Sequence, residues 1–421
     1  MGILTPLGVP DFNGTSSKDY IKLKYTVSGQ PADKVELELR KGSEIFFSAT
    51  IEDAAMLSVG IHEYRWDGFD NHGVLDTAFL TSNKFNYLSR IYCKGKTKFK
   101  TIPFSGSYEK VNWVDVKIDK PLSRIDVTLR VNLIDGGSKG LKCSTRSVGR
   151  NSRLSKTVND CPWDDIDQQA IINENKPPIK KRTKTFDELK EMVLDGINTY
   201  WSRRYTNTGG TIHKEKNWEV IVTAINEKDS EKSLDDIPLI YNTNNSWSRS
   251  GNTGGSYDDG NWDDEVMGLL PNGSVQRVSY NVGYILFDDW KDLNKNRQLY
   301  KQKGWRYYDE AIETEDFKET AAHEIGHEIL QAFGGTVYSW QHKGSSYYLP
   351  QDEKPLGNES FKEEYINIDF MEETKGEKYP KKGEEVDLMK YYHQNKDIKS
   401  RIVANAKDVL GLVWLSKVNL K

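Results

Sequence analysis

Five consecutive residues have the types and spacing of a zinc-binding catalytic motif. The run is His323-Glu324-Ile325-Gly326-His327, which has the pattern H-E-x-x-H. Residues four apart on an α-helix are neighbours, so the two histidines can bind one metal ion. Glu324 would then lie beside the open coordination position, where a carboxylate can act as a general base toward water. The pattern predicts a metal-dependent hydrolase.

A catalytic zinc ion normally takes three protein ligands, so a third ligand must come from outside the motif. In metzincins the motif continues with a glycine and then a further metal ligand. Leu330 and Phe333 occupy those two positions here. The metzincin arrangement is therefore excluded, and the third ligand must lie further downstream.

Two later segments contain candidates for that ligand, residues 339–346 and residues 383–392. In the first, His342 is either the third ligand or a donor that stabilises the oxyanion of a tetrahedral intermediate. The second contains Glu384, Glu385 and Asp387, all carboxylates that can bind zinc. In the same segment Leu388-Met389 could place a methionine beneath the metal, as in zincins with a Met-turn.

The residues around the motif predict the elements that position it. Thr185-Phe186-Asp187-Glu188 is a capping box that begins a helix, and apolar residues then recur at helical spacing as far as Trp201. Residues 218–224 predict a strand, and residues 275–286 predict another strand or a hairpin. A polar loop lies between them at 242–264. The motif helix is expected from about Thr314 to Phe333, ended by Gly334-Gly335. This order is typical of a zincin catalytic domain, in which an edge strand binds extended peptide.

The first 135 residues predict β structure. Apolar residues alternate with polar ones in four runs, at 21–27, 35–39, 114–118 and 125–133. Short alternating runs separated by turn residues are typical of β-sandwich modules. The stretch from Gly60 to Gly73 resembles a turn of the immunoglobulin-like modules found in bacterial surface proteins. We interpret its His62 and His72 as strand and turn residues rather than as metal ligands.

Residues 136–184 are expected to be a linker, because hydrophobic periodicity is lost there and the composition is polar. Its basic cluster Lys180-Lys181-Arg182 is interpreted as solvated surface, since no second basic patch accompanies it. The three cysteines form no C-x-x-C pair, which argues against a cysteine-based zinc site. A disulfide between Cys143 and Cys161 is possible in an oxidising compartment.

The composition excludes several classes of function. The formal charge of −4 over 421 residues gives no overall attraction to nucleic acid or to membranes. No apolar run approaches the roughly 20 residues that span a bilayer. The first residues lack the basic start and apolar core of a signal peptide. We expect export by a dedicated machine or origin within a longer polypeptide.

The motif, the segment beginning at His342 and the run Glu385-Val-Asp-Leu-Met-Lys-Tyr-Tyr together resemble zincin-type metallopeptidase toxin domains of bacterial competition. Such domains occur at the C-termini of VgrG spike proteins and of Rhs-type polymorphic toxins of type VI secretion. The resemblance covers residues 185–421. It implies Zn²⁺ as the cofactor, with His323, His327 and Glu385 as its ligands. It also implies Glu324 as the base and a catalytic role for His342 near the metal.

The expected fold is therefore multidomain. An N-terminal all-β, immunoglobulin-like sandwich (1–135) precedes a linker (136–184) and an α+β zincin domain (185–421). The resemblance further implies a peptide or protein substrate, a secretion carrier of the VgrG, PAAR or Rhs type, and a cognate immunity protein. It implies action in the periplasm of a target bacterium. The formal charge of −4 gives no reason to expect a nucleic-acid partner.

Two other functions remain open at this point. The same site could serve a metal-dependent peptidoglycan amidase or endopeptidase. Alternatively, the chain could be a non-enzymatic adhesin or an extension of a secretion spike, in which the β modules do the work and the motif helix is structural.

Overall fold

A computed structural model describes most of the chain. The described residues are 2–148, 156–244, 251–252, 277–287, 302–307, 309–335, 345–346, 385–389, 391–392 and 401–421. The helices within them are α1 (Ala54–Leu57), α2 (Thr77–Ser82), α3 (Gln168–Glu174), α4 (Phe186–Tyr200), α5 (Glu310–Gly334) and α6 (Ala406–Leu415), with 3-10 turns at Pro6–Gly8 and Pro162–Asp165.

The structure is mostly β, as the sequence predicts for its first part. The strands of the described part are β1 (Gly2–Leu4), β2 (Ile21–Val27), β3 (Lys34–Lys41), β4 (Glu44–Ile51), β5 (Gly60–Trp66), β6 (Val74–Asp76), β7 (Lys84–Cys93), β8 (Lys96–Tyr108), β9 (Val114–Asp119), β10 (Arg124–Lys139), β11 (Ser144–Val148), β12 (Lys156–Asp160), β13 (Thr211–His213), β14 (Lys216–Asn226), β15 (Leu234–Asn242), β16 (Gly251–Asn252), β17 (Val278–Asn281), β18 (Tyr284–Phe287), β19 (Gln302–Arg306), β20 (Ser345–Ser346), β21 (Val386–Asp387), β22 (Tyr391–Tyr392), β23 (Ile402–Val403) and β24 (Val418–Leu420).

The first sheet is antiparallel and has six strands in the order β1-β24-β8-β7-β3-β4. The antiparallel pair β2–β5 packs against it, and Tyr87 on β7 donates its hydroxyl to the Lys24 carbonyl on β2 at 3.2 Å. Alternate residues of β2 are buried, because one face of the strand meets the core and the other meets solvent. The predicted strands at 21–27 and 35–39 are confirmed.

The turn that follows β5 is closed by short-range contacts. Asp70 Oδ1 accepts hydrogen bonds from the backbone N–H groups of His72 and Val74, both at 2.8 Å. Gly73 has φ 78°, a conformation that glycine adopts without a steric cost. His62 lies on β5, as interpreted from the sequence, and its Nε2 is 2.6 Å from the Ser58 carbonyl oxygen.

The second sheet has eight strands, with β10 as its longest member. It runs in the order β13-β14-β10-β15-β17-β16, and β9 and β6 extend it beside the first half of β10. β10 is parallel to β14 and to β15, and antiparallel to β9. The predicted strands at 114–118, 125–133 and 218–224 all lie in this sheet, as does the part of 275–286 that forms β17.

The expected boundary between residues 135 and 136 falls inside β10. This strand pairs with β9 on the N-terminal side of that boundary and with β14 and β15 beyond the expected linker. In addition, β24 at the C-terminal end lies between β1 and β8 of the first sheet. Each of the two sheets therefore contains strands from the expected N-terminal module and strands from the expected C-terminal domain.

The stretch expected to be a linker also contains regular structure: β11, β12 and α3 lie within it. β11 and β12 pair through their backbones and carry mostly polar side chains, so they give no hydrophobic period that a sequence pattern could detect. A disulfide joins Cys143 to Cys161 beside this hairpin.

Helix α4 supports the motif helix α5. The predicted capping box is confirmed: Thr185 Oγ1 accepts from the Glu188 N–H at 3.2 Å, and Glu188 Oε2 accepts from the Thr185 N–H at 2.6 Å. The two helices cross at Gly196, where a Cβ atom would lie 2.3 Å from the Lys318 carbonyl oxygen. Glycine at this position allows the backbones to approach closely. Within the described residues, no helix is both long and apolar enough to cross a membrane.

Candidate functional site

The H-E-x-x-H motif lies on α5, a helix of 25 residues. Asp309 caps its start by accepting a hydrogen bond from the Ile312 N–H at 3.0 Å, and Gly335 follows its end with φ 85°. The predicted motif helix is confirmed, and it begins four residues before the expected position. Its core-facing residues are buried against α4, α6 and the second sheet.

The two histidines of the motif are neighbours on the helix, as the spacing predicts. The ring centroids of His323 and His327 lie 5.0 Å apart, with the ring planes at 85° to each other. Glu324 Oε2 lies 3.9 Å from His327 Nε2. All three residues are 7% exposed. Two imidazoles and a carboxylate thus meet in a site largely shielded from bulk water.

A backbone carbonyl fixes the orientation of the His323 ring. Its Nδ1 lies 2.7 Å from the Leu388 carbonyl oxygen. A carbonyl can only accept a hydrogen bond, so Nδ1 is the donor and carries the proton. In the neutral ring Nε2 then carries the lone pair, which is the form of histidine that binds metals.

Met389 packs against the motif helix at Gly326. A Cβ atom on Gly326 would lie 2.5 Å from Met389 Sδ and 3.0 Å from the ring of Trp201. Trp201 also donates its indole N–H to the Ala322 carbonyl at 3.0 Å. The absence of a side chain at Gly326 therefore lets both residues pack against the helix between its two histidines. Met389 therefore contacts the motif helix at Gly326, and its expected position beneath a metal ion stays a prediction.

The segment that carries Met389 is anchored at several points. β21 is parallel to β23, and the Leu388 N–H donates to the Val403 carbonyl at 2.9 Å. One carboxylate oxygen of Asp387 accepts from the Met389 N–H, and the other accepts from the Asn405 side chain, both at 2.9 Å. Asp387 thus shapes the turn that brings the Leu388 carbonyl to His323.

Glu385 is engaged with an arginine in this structure. Arg203 Nη2 donates to Glu385 Oε2 at 2.7 Å, and Nη1 donates to Glu385 Oε1 at 3.3 Å and to the Ala404 carbonyl at 2.9 Å. Arg203 is 4% exposed, whereas the Glu385 side chain is 43% exposed. Glu385, the predicted third ligand, therefore forms a bidentate ion pair with the buried guanidinium of Arg203.

The described residues contain no cluster of three or more His, Cys, Asp or Glu side chains that could hold a metal ion. His323, Glu324 and His327 are neighbours on α5. Glu385 does not join the histidine pair to complete a metal-binding group. Of the other candidates, Asp387 accepts the two hydrogen bonds given above. His342 and Glu384 lie outside the described residues.

Two buried tyrosines lie near α5. Burial raises the pKa of Tyr200, and the carboxylates of Glu319, Glu315 and Asp316 raise it further. Burial likewise raises the pKa of Tyr280, assisted by Glu313. Both phenols therefore stay protonated at neutral pH. The Tyr200 carbonyl accepts a hydrogen bond from the Ala404 N–H at 2.7 Å, which connects α4 to the segment after β23.

Three contributors to the site were not found from the sequence: the Leu388 carbonyl, the Trp201 indole and Arg203. A backbone carbonyl has no residue-type signal, so no pattern could have indicated it. Trp201 was assigned only to an apolar helix face, and Arg203 follows the predicted helix without a motif. Each acts on residues more than 60 positions away in sequence.

Comparisons with known proteins give no assignment. No protein-family model matches the sequence. No curated protein matches it either. A solved structure, a β-glucuronidase of Parabacteroides merdae, aligns at 10% identity over 57% of this chain and 25% of that chain, with a TM-score of 0.15. The match spans about a quarter of that enzyme, and a score at this level carries no argument about fold or function.

Proposed function

We propose that the chain is a zinc-dependent peptidase that acts as a secreted antibacterial effector toxin. The observation that carries the enzymatic part is the arrangement of His323 and His327, whose buried rings are adjacent, with the Nδ1 proton of His323 engaged by the Leu388 carbonyl. A histidine whose function is to bind metal is usually fixed in this way by a second hydrogen bond.

The donor set agrees with zinc as far as it extends. Imidazole nitrogens are ordinary zinc ligands, and His323 and His327 would supply two of the three that a catalytic ion needs. The third would come from the predicted candidates His342 or Glu384, or from Glu385 after it leaves Arg203. When bound, zinc would lower the pKa of a water molecule toward neutrality and polarise the substrate carbonyl.

In the proposed reaction Glu324 moves the proton. Its carboxylate accepts a proton from the attacking water and returns it to the leaving nitrogen of the cleaved peptide bond. Its position one residue after His323, 3.9 Å from His327 Nε2, is suited to this role.

The remaining parts of the proposal rest on the sequence resemblance. We assign the second sheet with α4 and α5 to a zincin fold, and the first sheet with β2 and β5 to an immunoglobulin-like sandwich. Delivery by a VgrG, PAAR or Rhs-type carrier, action in the periplasm of a competitor and a cognate immunity protein follow from the same resemblance.

The decisive experiment compares Glu324→Gln with Glu315→Gln in the full chain. Glu315 lies on the same helix, is exposed and pairs with Lys318, so it serves as a matched control for loss of one carboxylate. We expect Glu324→Gln to keep stoichiometric zinc but to lose hydrolysis of a protein library by about a hundredfold or more, the usual scale for general acid–base catalysis. Glu315→Gln should retain both properties.

Other outcomes would favour the other functions. Cleavage of purified cell wall, without cleavage of proteins, would assign the same site to a peptidoglycan hydrolase. A wild-type protein that binds no zinc at micromolar concentration would contradict the enzymatic proposal. It would favour an adhesin or spike extension.

A further inference from the structure

A groove on the first sheet lies far from the motif in sequence and is not used by the proposed reaction. Its volume is about 820 Å³, and it is lined by residues 24–30 of β2 and the segment after it, by β7 and by residues 96–102 of β8. Lys96, Lys98 and Lys100 lie along one side of it. Every residue of β8 from 96 to 103 is exposed.

These three lysines have no acidic partner in the part of the chain that the structure describes. Within the described residues none of them forms a salt bridge, whereas Lys24 on the opposite wall pairs with Glu63 at 3.2 Å. They alternate along one strand, so their side chains point to the same face, toward the groove. Among the described residues, the groove therefore presents a row of three lysines without a paired carboxylate, at a spacing of two residues.

Among the strands that the structure describes, none pairs with one edge of β8 in this region. It pairs with β7 on one side, while on the other side β24 covers it from Gly106 to Tyr108. Beyond those residues, Ser105 exchanges two backbone hydrogen bonds with Lys421, at 3.0 and 2.9 Å. No strand in the described part of the chain pairs with the outer edge from Lys96 to Phe104.

The pairing pattern identifies which backbone groups face outward. Cys93 and Lys96 flank a two-residue turn, Lys94-Gly95, whose φ angles are 48° and 73°, and such flanking residues form a hydrogen-bonded pair. The even-numbered residues from Lys96 onward therefore bond to β7. The odd-numbered residues direct their N–H and C=O groups outward, as the bonds between Ser105 and Lys421 demonstrate.

The outward groups thus belong to Thr97, Phe99 and Thr101. Pro103 follows at the next outward position and has no N–H to donate, so it limits the length of the available edge. Phe99 alternates with the lysines along β8 and is 73% exposed. A strand added here would meet lysines on one face and an exposed aromatic ring on the other.

We propose that this edge binds an extended acidic segment of a partner protein by strand addition. Alternate side chains of that segment would be carboxylates opposite Lys96, Lys98 and Lys100, and the intervening side chains would be apolar beside Phe99. Lysines on an edge strand discourage pairing between copies of the same chain. The same charges favour a strand whose groove-facing side chains are acidic.

The direct test measures binding of a fluorescently labelled synthetic peptide to the full chain by fluorescence anisotropy. The probe has seven residues, with glutamates at three alternate positions and valines between them. We expect saturable binding that weakens with added salt, and at least tenfold weaker binding when lysines replace the glutamates. Equal binding of the two peptides would overturn the proposal.

Two protein variants and one charge-matched control variant separate charge from strand pairing. Lys96→Glu/Lys98→Glu/Lys100→Glu should weaken binding at least tenfold, while Lys142→Glu/Lys181→Glu/Lys228→Glu, with the same change of charge at other exposed sites, should not. Thr101→Pro removes one outward N–H without removing a bond to β7, and it should weaken binding about fivefold or more.

A final control uses the same acidic peptide with methylated backbone nitrogens at alternate positions, which cannot pair with an edge. Loss of binding supports strand addition. Undiminished binding of this peptide, or a single-stranded oligonucleotide that binds more tightly than the peptide, would assign the lysines to general anion binding and overturn the proposal.

Discussion

Two fully buried tryptophans show how differently the first sheet and the motif region are held together. Trp66 lies at the end of β5 and donates its indole N–H to the Phe69 carbonyl, three residues away, at 2.8 Å. Trp201 follows α4 and donates to the Ala322 carbonyl, 121 residues away, at 3.0 Å. Each side chain is at most 1% exposed and satisfies its single polar group.

The difference lies in the range of the contacts. Around Trp66 the turn residues bond to one another, and the indole ring packs against Phe46 and Phe47 on β4, the preceding strand. Around Trp201 the contacts join α4, α5 and the segment from Glu385 to Met389, which are widely separated in sequence. We infer that damage in the first region affects stability alone, whereas damage in the second also alters the metal-binding geometry.

The largest expected effect comes from removing each tryptophan in turn. Trp66→Ala and Trp201→Ala should each lower the free energy of unfolding by about 3–5 kcal/mol, because each leaves a large cavity. Only Trp201→Ala should also weaken zinc binding, since its ring supports the helix between the two histidines. Urea unfolding and zinc titration of the folded protein measure the two effects. Equal zinc affinity in the two variants would remove the distinction between the regions.

A second comparison uses two glycines. Gly326→Ala should cost about 1–3 kcal/mol, because the new Cβ meets Met389 Sδ, and Met389→Ala should relieve part of that cost. Gly68→Ala in the first region should not be relieved by trimming its neighbour Leu75, because Gly68 has φ 89°. A double-mutant cycle at each pair, measured by chemical denaturation, tests both statements. Additive effects at Gly326 and Met389 would contradict the close packing described here.

A third test addresses the junction of the two sheets, where Tyr108 on β8 donates to Asp115 on β9, which also pairs with Arg130. Tyr108→Phe should lower the free energy of unfolding at neutral pH by about 1–2 kcal/mol, because buried Asp115 loses a donor. Zinc affinity should not change.

The pH dependence of this contact has a defined sign. Burial raises the pKa of Tyr108 to about 12 from its ordinary value of 10.0, and the hydrogen bond to Asp115 adds to the shift. The native state thus holds this proton more tightly than the unfolded state does. The stability it contributes is complete below pH 10.0 and is lost as the pH rises to about 12. Tyr108→Phe should flatten this part of the stability profile, and an unchanged slope would argue against the assignment.

The smallest expected effect is at Glu385. Because its side chain is 43% exposed, Glu385→Gln should cost less than about 1 kcal/mol, and zinc affinity should be unchanged if the residue serves only to pair with Arg203. A marked loss of zinc affinity would instead restore Glu385 as the third ligand. Isothermal titration with Zn²⁺ distinguishes the two results.

Much of the fold could be predicted because its signals are local. The alternation of Ile21, Leu23, Tyr25 and Val27 indicates a half-buried strand, and the capping box at Thr185 indicates a helix start. The spacing of His323 and His327 likewise depends only on helix geometry. Each of these features is complete within a few residues of sequence.

The rest could not be predicted because it depends on pairing between distant segments. The polar second half of β10 becomes a strand only because β15 bonds to its backbone. β10 therefore continues through the boundary that the sequence predicts at residue 135. Glu385 resembles a ligand by type, but the position of Arg203 decides its contacts. No periodicity in the sequence indicates either the β10–β15 pairing or the Glu385–Arg203 ion pair.

The location of β24 has a consequence for how the protein is made. This strand lies between β1 and β8, so the first sheet joins residues from the start of the chain to residues 418–420. On the ribosome, β1 cannot pair with β24 until residues 418–420 have been synthesised. Pairing at such a large sequence separation is slow to form. We therefore expect β1 to be the last of the N-terminal strands to gain protection from hydrogen exchange during refolding.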